Sequence, residues 1–352
     1  MSIYELHTIE EGDMPEPTSH TLDVPGAVLA YDVRGDSRTN EPPLLLIAAP
    51  MGAAGFATLA GHFSDRMVVT YDPRGVERSE RTDGVTESTP DEHADDLHRL
   101  IAALETGPVD IFASSGGAVN ALALVTRHSE QVRTLVAHEP PSAQVLPDAD
   151  AALAANVDVH ETYMRSGLGP GMAKFIALSS YKGPIPAEYA AQPSPDPAMF
   201  GLPTDDDGSR NDPLLGQNIV SLTQYRFDFD ALRAASTRIV IAVGAESEGE
   251  LAHRAARAVA ELLGTEAVIF PSHHGGFLGG EYGQTGDPDA FAVKLREVLA
   301  AAAQGFTSTA PRTRRDHGAT HEATAGNGSL SPHALRGVVR NLPGAVAGTQ
   351  AG

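Results

Sequence analysis

The segment from Val109 to Val125 limits what this chain can fold into more than any other. It reads VDIFASSGGAVNALALV and predicts a buried strand over 109–113, a tight turn over 114–117 and then a helix. Apolar residues at positions 118, 119, 122 and 125 fall on one face of that helix. A strand that leads through a short turn into a helix is the building unit of a parallel sheet covered by helices.

Small residues flank Ser115 in this turn. Ala113 and Gly117 stand two positions before and after it, which matches the nucleophile elbow G-x-S-x-G with Ala for the first Gly. Small residues are needed because the strained elbow brings the backbone close to its neighbours. Ser114 is the alternative nucleophile, but large Phe112 stands two positions before it. A turn that only connects the strand to the helix also fits these residues. A phosphate-binding loop is disfavoured, because its usual glycine and lysine pattern is absent here.

Further buried strands and amphipathic helices alternate along the chain. A hairpin is predicted around Pro25-Gly26, and a final helix over 287–303. Capping boxes are predicted at Thr89 and Glu92 and at Ser247 and Glu250, each at the start of a helix. The buried strands are predicted over 43–48, 66–71, 132–138, 238–243 and 266–270. The fold class is therefore α/β, with a mostly parallel sheet, helices on both faces, and reactive groups at the carboxyl ends of the strands.

The domain organisation follows from where this alternation stops. Residues 1–17 are predicted to be a flexible lead, 18–141 and 236–304 the core, and 305–352 a disordered tail. Residues 142–235 are rich in proline and aromatic residues, and they are predicted to form a cap inserted into the core. The aromatic residues of the cap are expected either to line an apolar substrate pocket or to pack its own small core.

Composition excludes several classes of function. Lys plus Arg number 25 against 46 Asp plus Glu, a formal net charge of −21, so no nucleic-acid or membrane-surface partner is expected. The absence of cysteine excludes disulfides, thiolate metal sites and a cysteine nucleophile. No signal peptide or membrane span is recognisable, which predicts a cytoplasmic protein. His93 and His98 lack the spacing of a zinc pair, and neither a metal nor another cofactor is expected.

Six segments together resemble the α/β-hydrolase superfamily, and in detail its bacterial single-cap, esterase-like serine hydrolases. They are LLLIAAPMGAAGF, VVTYDPRGVERS, DIFASSGGAVNALAL, VRTLVAHEPP, IVIAVGAES and FPSHHGGF. The resemblance covers roughly residues 20–300 except most of the cap. It implies an α/β-hydrolase fold and a nucleophile, acid and histidine in the chain order Ser115, Glu246, His274.

The resemblance also ranks the candidates for base and acid. His274 is preferred over His273 because the two glycines after it resemble the family's small-residue turn. Glu246 is preferred as the acid, since the family usually has its carboxylate shortly after the strand that is predicted here over 238–243. Glu139 is the alternative acid, because some family members take theirs from the end of the preceding strand. Glu248 is more simply explained as a carboxylate in the first turn of a helix.

The oxyanion hole requires two backbone N–H donors. Gly116, directly after the nucleophile, is expected to supply the first. The second is expected from the loop after the 43–48 strand, where Pro50 has no N–H, so Met51 is preferred and Gly52 is the alternative. Arg74, in a turn that resembles the family's D-x-R-G, is expected to be structural.

The function implied is that of a cofactor-free serine hydrolase that cleaves a carboxylic ester or related small acyl compound through an acyl-enzyme on Ser115. Acyl transfer, thioester cleavage and perhydrolysis with the same three residues are alternatives. A non-catalytic small-molecule-binding protein with this fold is a further alternative, because a fold does not fix a function. The oligomeric state and the role of the tail stay open.

Overall fold

The computed structural model describes residues 16–36, 39 and 41–305, so nearly all of the predicted lead and tail lies outside the described residues. The strands are β1 (Thr18–Val24), β2 (Ala27–Arg34), β3 (Leu44–Ala49), β4 (Val68–Tyr71), β5 (Glu80–Arg81), β6 (Val109–Ser115), β7 (Val132–His138), β8 (Arg238–Gly244) and β9 (Val268–Phe270). The α-helices are α1 (Ala57–Gly61), α2 (Pro90–Leu104), α3 (Gly116–His128), α4 (Ala149–Ser166), α5 (Leu168–Ser179), α6 (Ile219–Gln224), α7 (Phe229–Ala234), α8 (Leu251–Leu263) and α9 (Pro288–Gly305).

The described strands form one sheet in the order β1-β2-β4-β3-β6-β7-β8-β9, and β5 also pairs with β2. Pairing is parallel from β4 to β9 and antiparallel around β2. The predicted α/β class is confirmed. Strand β6 is longer than predicted and runs to Ser115, so the helix follows it at once. Strand β9 is shorter than predicted and begins at Val268.

Continuous burial of β3 explains why its sequence does not alternate in polarity. All six of its residues are buried, as expected for a central strand covered on both faces. Leu45 and Ile47 pack with apolar residues of α2, α3 and α8, whereas Leu44 and Leu46 pack with residues of α1 and α9. Successive side chains of a strand point to opposite faces, so the run LLLI supplies two apolar layers at once.

The predicted cap segment lies between β7 and β8. Helices α4, α5 and α6 pack with a π-helix (Pro213–Asn218) around their own apolar cluster, in which Tyr163 is fully buried. The Tyr163 hydroxyl accepts a hydrogen bond from the Asp212 N–H at 2.9 Å. Tyr225, Phe227 and Phe229 instead pack against the main core. The aromatic residues of this segment are therefore divided between its own cluster and the main core.

Arg74 connects the β4–α2 region to the first strands. Its guanidinium is buried and donates to both carboxylate oxygens of Asp96 in α2, at 2.6 and 2.7 Å. It also donates to Glu92 at 3.2 Å and to the Pro25 carbonyl at 3.3 Å. Glu92 completes the predicted capping box with Thr89 at the start of α2. The contacts of Arg74 are thus those of a structural residue.

Replacement of Arg74 by Met should lower the free energy of unfolding by about 3 kcal/mol, because it leaves the Asp96 carboxyl buried without its partner. Urea unfolding followed by far-UV circular dichroism measures the loss. Arg99→Met is the matched control, since Arg99 pairs with exposed Asp95 on the same helix and should cost less than about 1 kcal/mol. Equal losses for the two variants would contradict this structural role.

Candidate active site

Ser115 lies at the junction of β6 and α3 in a strained backbone conformation. Its φ of 55° and ψ of −128° are unusual for a residue other than glycine. A Cβ at Gly117 would lie 2.5 Å from the Ala48 Cα, and a Cβ at Gly116 would lie 2.6 Å from the Ala49 carbonyl oxygen. Strand β3 therefore leaves no room for side chains there. Gly117, one of the two small residues that identified the elbow, is required by this contact.

Only the second serine of the pair is open to a ligand. Ser115 lines a cavity of about 390 Å³. Ser114 is 2% exposed, and its Oγ lies 3.3 Å from Nδ1 of buried His138. The structure thus favours Ser115 over Ser114 as the nucleophile, because a ligand in the cavity can reach only Ser115.

His274 lines the same cavity and is held by a carboxylate. Its Nδ1 lies 2.6 Å from Oε2 of Glu139, and its side chain is 39% exposed. No hydrogen bond joins Ser115 to His274 among the described residues. Such bonds are often long in unliganded enzymes and shorten when substrate binds.

His273 has both ring nitrogens engaged elsewhere. Its Nδ1 accepts from the Gly275 N–H at 3.0 Å, so its Nε2 carries the proton and donates to the Thr285 carbonyl at 3.2 Å. Neither nitrogen is left to accept a proton from a nucleophile. The arrangement favours His274 as the base.

Glu139 collects hydrogen bonds from three parts of the chain. It follows β7 with a φ of 47° and is completely buried. Its Oε1 accepts from the Gly244 N–H of β8 at 2.9 Å and from the Ser247 hydroxyl. The Nδ1 of His253, in α8, lies 3.6 Å from the same oxygen and 3.2 Å from the Gly244 carbonyl. These donors fix the carboxylate that contacts His274.

The ionisation of the two groups is coupled. Burial raises the pKa of Glu139, but the nearby imidazole of His253 and the hydrogen bond with His274 outweigh it and hold the pKa far below its ordinary value. Burial also opposes protonation of His274, yet the hydrogen bond and charge of Glu139 raise the pKa of that imidazole. Glu139 is therefore a carboxylate at neutral pH, and it stabilises an imidazolium at His274.

These contacts favour Glu139 over Glu246, the acid that the sequence analysis preferred. Glu246 is exposed, its N–H donates to the Ser272 carbonyl, and its carboxylate has no contact with an imidazole among the described residues. The physical reason is that β7 and β8 are adjacent parallel strands, so their carboxyl ends lie side by side and either can bring a carboxylate to His274. Glu248 is likewise exposed.

Sequence reasoning missed Ser247 and His253. Ser247 was expected to cap α8 with Glu250, but no side-chain hydrogen bond caps that helix, which begins at Leu251. The Ser247 hydroxyl donates to Glu139 instead, and it lies 3.2 Å from the Gly244 carbonyl. A Ser-x-x-Glu pattern does not reveal this partner. Nothing in the sequence around His253 distinguishes it from the other helical residues.

The oxyanion-hole candidates lie at the edge of the cavity. Gly116 lines it, as do Ala49 and Pro50, and Ala49 pairs with Ser115 in the register of β3 and β6. Within the described part of the chain, the Met51 N–H has no acceptor. The Met51 side chain packs over Gly55 and does not line the cavity. Gly116 and Met51, with Gly52 as the alternative, stay predictions.

The cavity is mostly apolar on the side of the predicted cap. Phe175, Ile176, Leu214 and Leu222 supply this wall. Phe175 is the one aromatic side chain of the predicted cap that lines it. Tyr163, Tyr181 and Tyr189 pack within the segment's own cluster, whereas the others pack against the main core or are exposed. Residues described here include no cluster of three metal-ligating side chains and no helix with the length and apolarity to cross a bilayer.

Comparison with known proteins agrees with this architecture. Residues 42–201 match the family model for the alpha/beta hydrolase fold. An uncharacterised hydrolase of Bacillus subtilis (strain 168), YraK, is 33% identical over an alignment of 272 residues, and the alignment covers 73% of this chain and 89% of that protein.

Solved structures of lower identity share the fold. A thermophilic esterase from Thermogutta terrifontis is 19% identical with a TM-score of 0.53, and the match covers 83% of this chain and 98% of the esterase chain. The enol-lactonase from Burkholderia xenovorans LB400 is 17% identical with a TM-score of 0.55, and the match covers 80% of this chain and 100% of the lactonase chain. With its sheet, its strained serine and the YraK match, the chain belongs to the α/β-hydrolase family.

Proposed function

We propose that this protein is a hydrolase of carboxylic esters that works through an acyl-enzyme on Ser115. One observation carries the proposal: the imidazole held by Glu139 lines the same cavity as the strained serine. The relative in Bacillus subtilis is named a hydrolase, and the structural neighbours include an esterase and an enol-lactonase. These names support hydrolysis of an ester-type bond.

Acylation begins with proton transfer from the Ser115 hydroxyl to Nε2 of His274. The serine oxygen then attacks the substrate carbonyl carbon, and the carbonyl oxygen takes up the negative charge. In this proposal the Gly116 and Met51 N–H groups bind that oxyanion, with Gly52 as the alternative to Met51. His274 returns its proton to the alcohol oxygen as the C–O bond breaks, and the alcohol leaves.

Deacylation repeats these steps with water. His274 removes a proton from a water molecule that attacks the acyl carbon, and it then protonates the Ser115 oxygen as the carboxylic acid leaves. Glu139 stays ionised throughout, because its hydrogen-bond donors stabilise the charge. It fixes the His274 tautomer and stabilises the transient imidazolium. The chemistry needs no cofactor.

The first test replaces the proposed nucleophile, Ser115. Ser115→Ala should lower kcat for a short-chain p-nitrophenyl ester by at least about a thousandfold, since the acyl-enzyme cannot form. A fluorophosphonate adduct, mapped by mass spectrometry, should appear on Ser115 in the parent and be missing from the variant. Ser114→Ala is the control and should retain both activity and labelling, because Ser114 does not line the cavity. Turnover that survives Ser115→Ala would overturn the mechanism.

The acid makes the second test. Glu139→Gln should reduce kcat by roughly a thousandfold or more, because Gln cannot stabilise the His274 imidazolium by charge. Glu246→Gln, the matched change at the exposed carboxylate, should stay within about twofold of the parent. Both are measured with the same ester after circular dichroism has shown native folding. The reverse ranking would restore Glu246 as the acid.

The pH profile gives a third test. Only neutral His274 can accept the serine proton, so kcat/KM should fall as pH decreases through the pKa of this imidazole. Since Glu139 raises that pKa, the acidic limb should lie above the ordinary histidine value of about 6.5. In Glu139→Gln the limb of the residual activity should move to lower pH. An unchanged limb would show that another group controls it.

A further inference from the structure

The cavity contains one carboxylate that the proposed mechanism does not use. Glu250 precedes α8, lines the cavity and is partly buried. Its backbone N–H donates to the Ser247 carbonyl, but its carboxylate makes no hydrogen bond or ion pair among the described residues. Partly buried carboxylates normally have such partners, because an unpartnered charge away from water is costly. An unpartnered one that lines a cavity is suited to a ligand.

The basic groups around Glu250 leave its charge largely available. Lys182 lies across an antiparallel bridge from it, but the Lys182 ammonium donates to the Glu246 carbonyl at 3.5 Å. His274 is paired with Glu139, and His273 is engaged with backbone groups. Burial is the main reason that the pKa of Glu250 is raised; Glu139 adds to this shift, whereas Lys182 and the two histidines oppose it. Within the part of the chain that the structure describes, no Lys or Arg lines the cavity.

Three hydroxyl groups of the cavity wall already donate hydrogen bonds to backbone carbonyls. Ser179 and Ser180 donate to the Ile176 carbonyl at 3.1 and 2.7 Å, and Thr223 donates to the Ile219 carbonyl at 2.7 Å. Their oxygen lone pairs stay open, so these residues can only accept. These three hydroxyl groups therefore favour a ligand that donates hydrogen bonds.

We propose that Glu250 binds a positively charged, hydrogen-bond-donating part of the substrate, of the kind a protonated primary amine provides. The apolar wall around Phe175 and Leu214 would hold the carbon chain that connects this group to the ester. The inference deepens the proposed function and rests on it for the identification of this cavity as the substrate site. It selects amine-bearing esters over esters with a free carboxylate.

The test measures binding without turnover. Three ligands of equal length, n-hexylammonium, 1-hexanol and hexanoate, are titrated by calorimetry into full-length Ser115→Ala protein at pH 8 and physiological salt. Hexylammonium should bind about tenfold more tightly than hexanol, and hexanoate more weakly than hexanol, because a charge-assisted hydrogen bond forms only with the ammonium. Equal binding of hexylammonium and hexanol would overturn the proposal.

Variants then assign the preference to one residue. Glu250→Gln should bring the ammonium and the alcohol within about twofold, and Glu250→Lys should favour hexanoate. Glu248→Gln, an exposed carboxylate two residues away, should keep the tenfold preference, which separates the cavity from the negative surface of the whole protein. A preference that persists in Glu250→Gln would contradict the assignment. Since no ester is cleaved here, failure of the esterase test leaves this result interpretable.

Discussion

The buried carboxylate of Glu139 is the interaction on which the candidate site depends. It joins the end of β7 to the end of β8, to the Ser247 turn and to the loop that carries His274. A charge removed from water is stable only when several donors replace the water, and four lie within reach here. The same contacts that satisfy this charge orient the imidazole. Stability and proposed catalysis therefore rest on one set of hydrogen bonds.

The strain at Ser115 is the second constraint, and it comes from the close contact between β3 and the start of α3. Without side chains at Gly116 and Gly117, the helix can begin directly behind the strand. Its first N–H groups then lie next to the serine, where a helix N-terminus favours negative charge. The sheet register, which pairs Ala49 with Ser115, brings the β3 loop to the same place.

Local sequence was sufficient for features that depend on local geometry. The elbow, the fold class and the capping box of α2 each follow from residue types within a few positions of one another. The sequence could not rank Glu139 above Glu246, because the ranking depends on which carboxylate contacts His274, a tertiary property. Ser247 was misassigned for a related reason: its partner is 108 residues away in the chain. The position of Glu250 on the cavity wall is likewise a tertiary property that local sequence does not reveal.

The position of the predicted cap between β7 and β8 has a consequence for variation in this protein. These strands are neighbours, with Thr134 opposite Arg238, so the long segment leaves the sheet and returns to it one strand away. Its length and composition can change without shifting that register or the Glu139 contacts with β8. Replacements in one contiguous stretch can thus reshape the cavity wall, while Ser115, Glu139 and His274 keep their positions on the core.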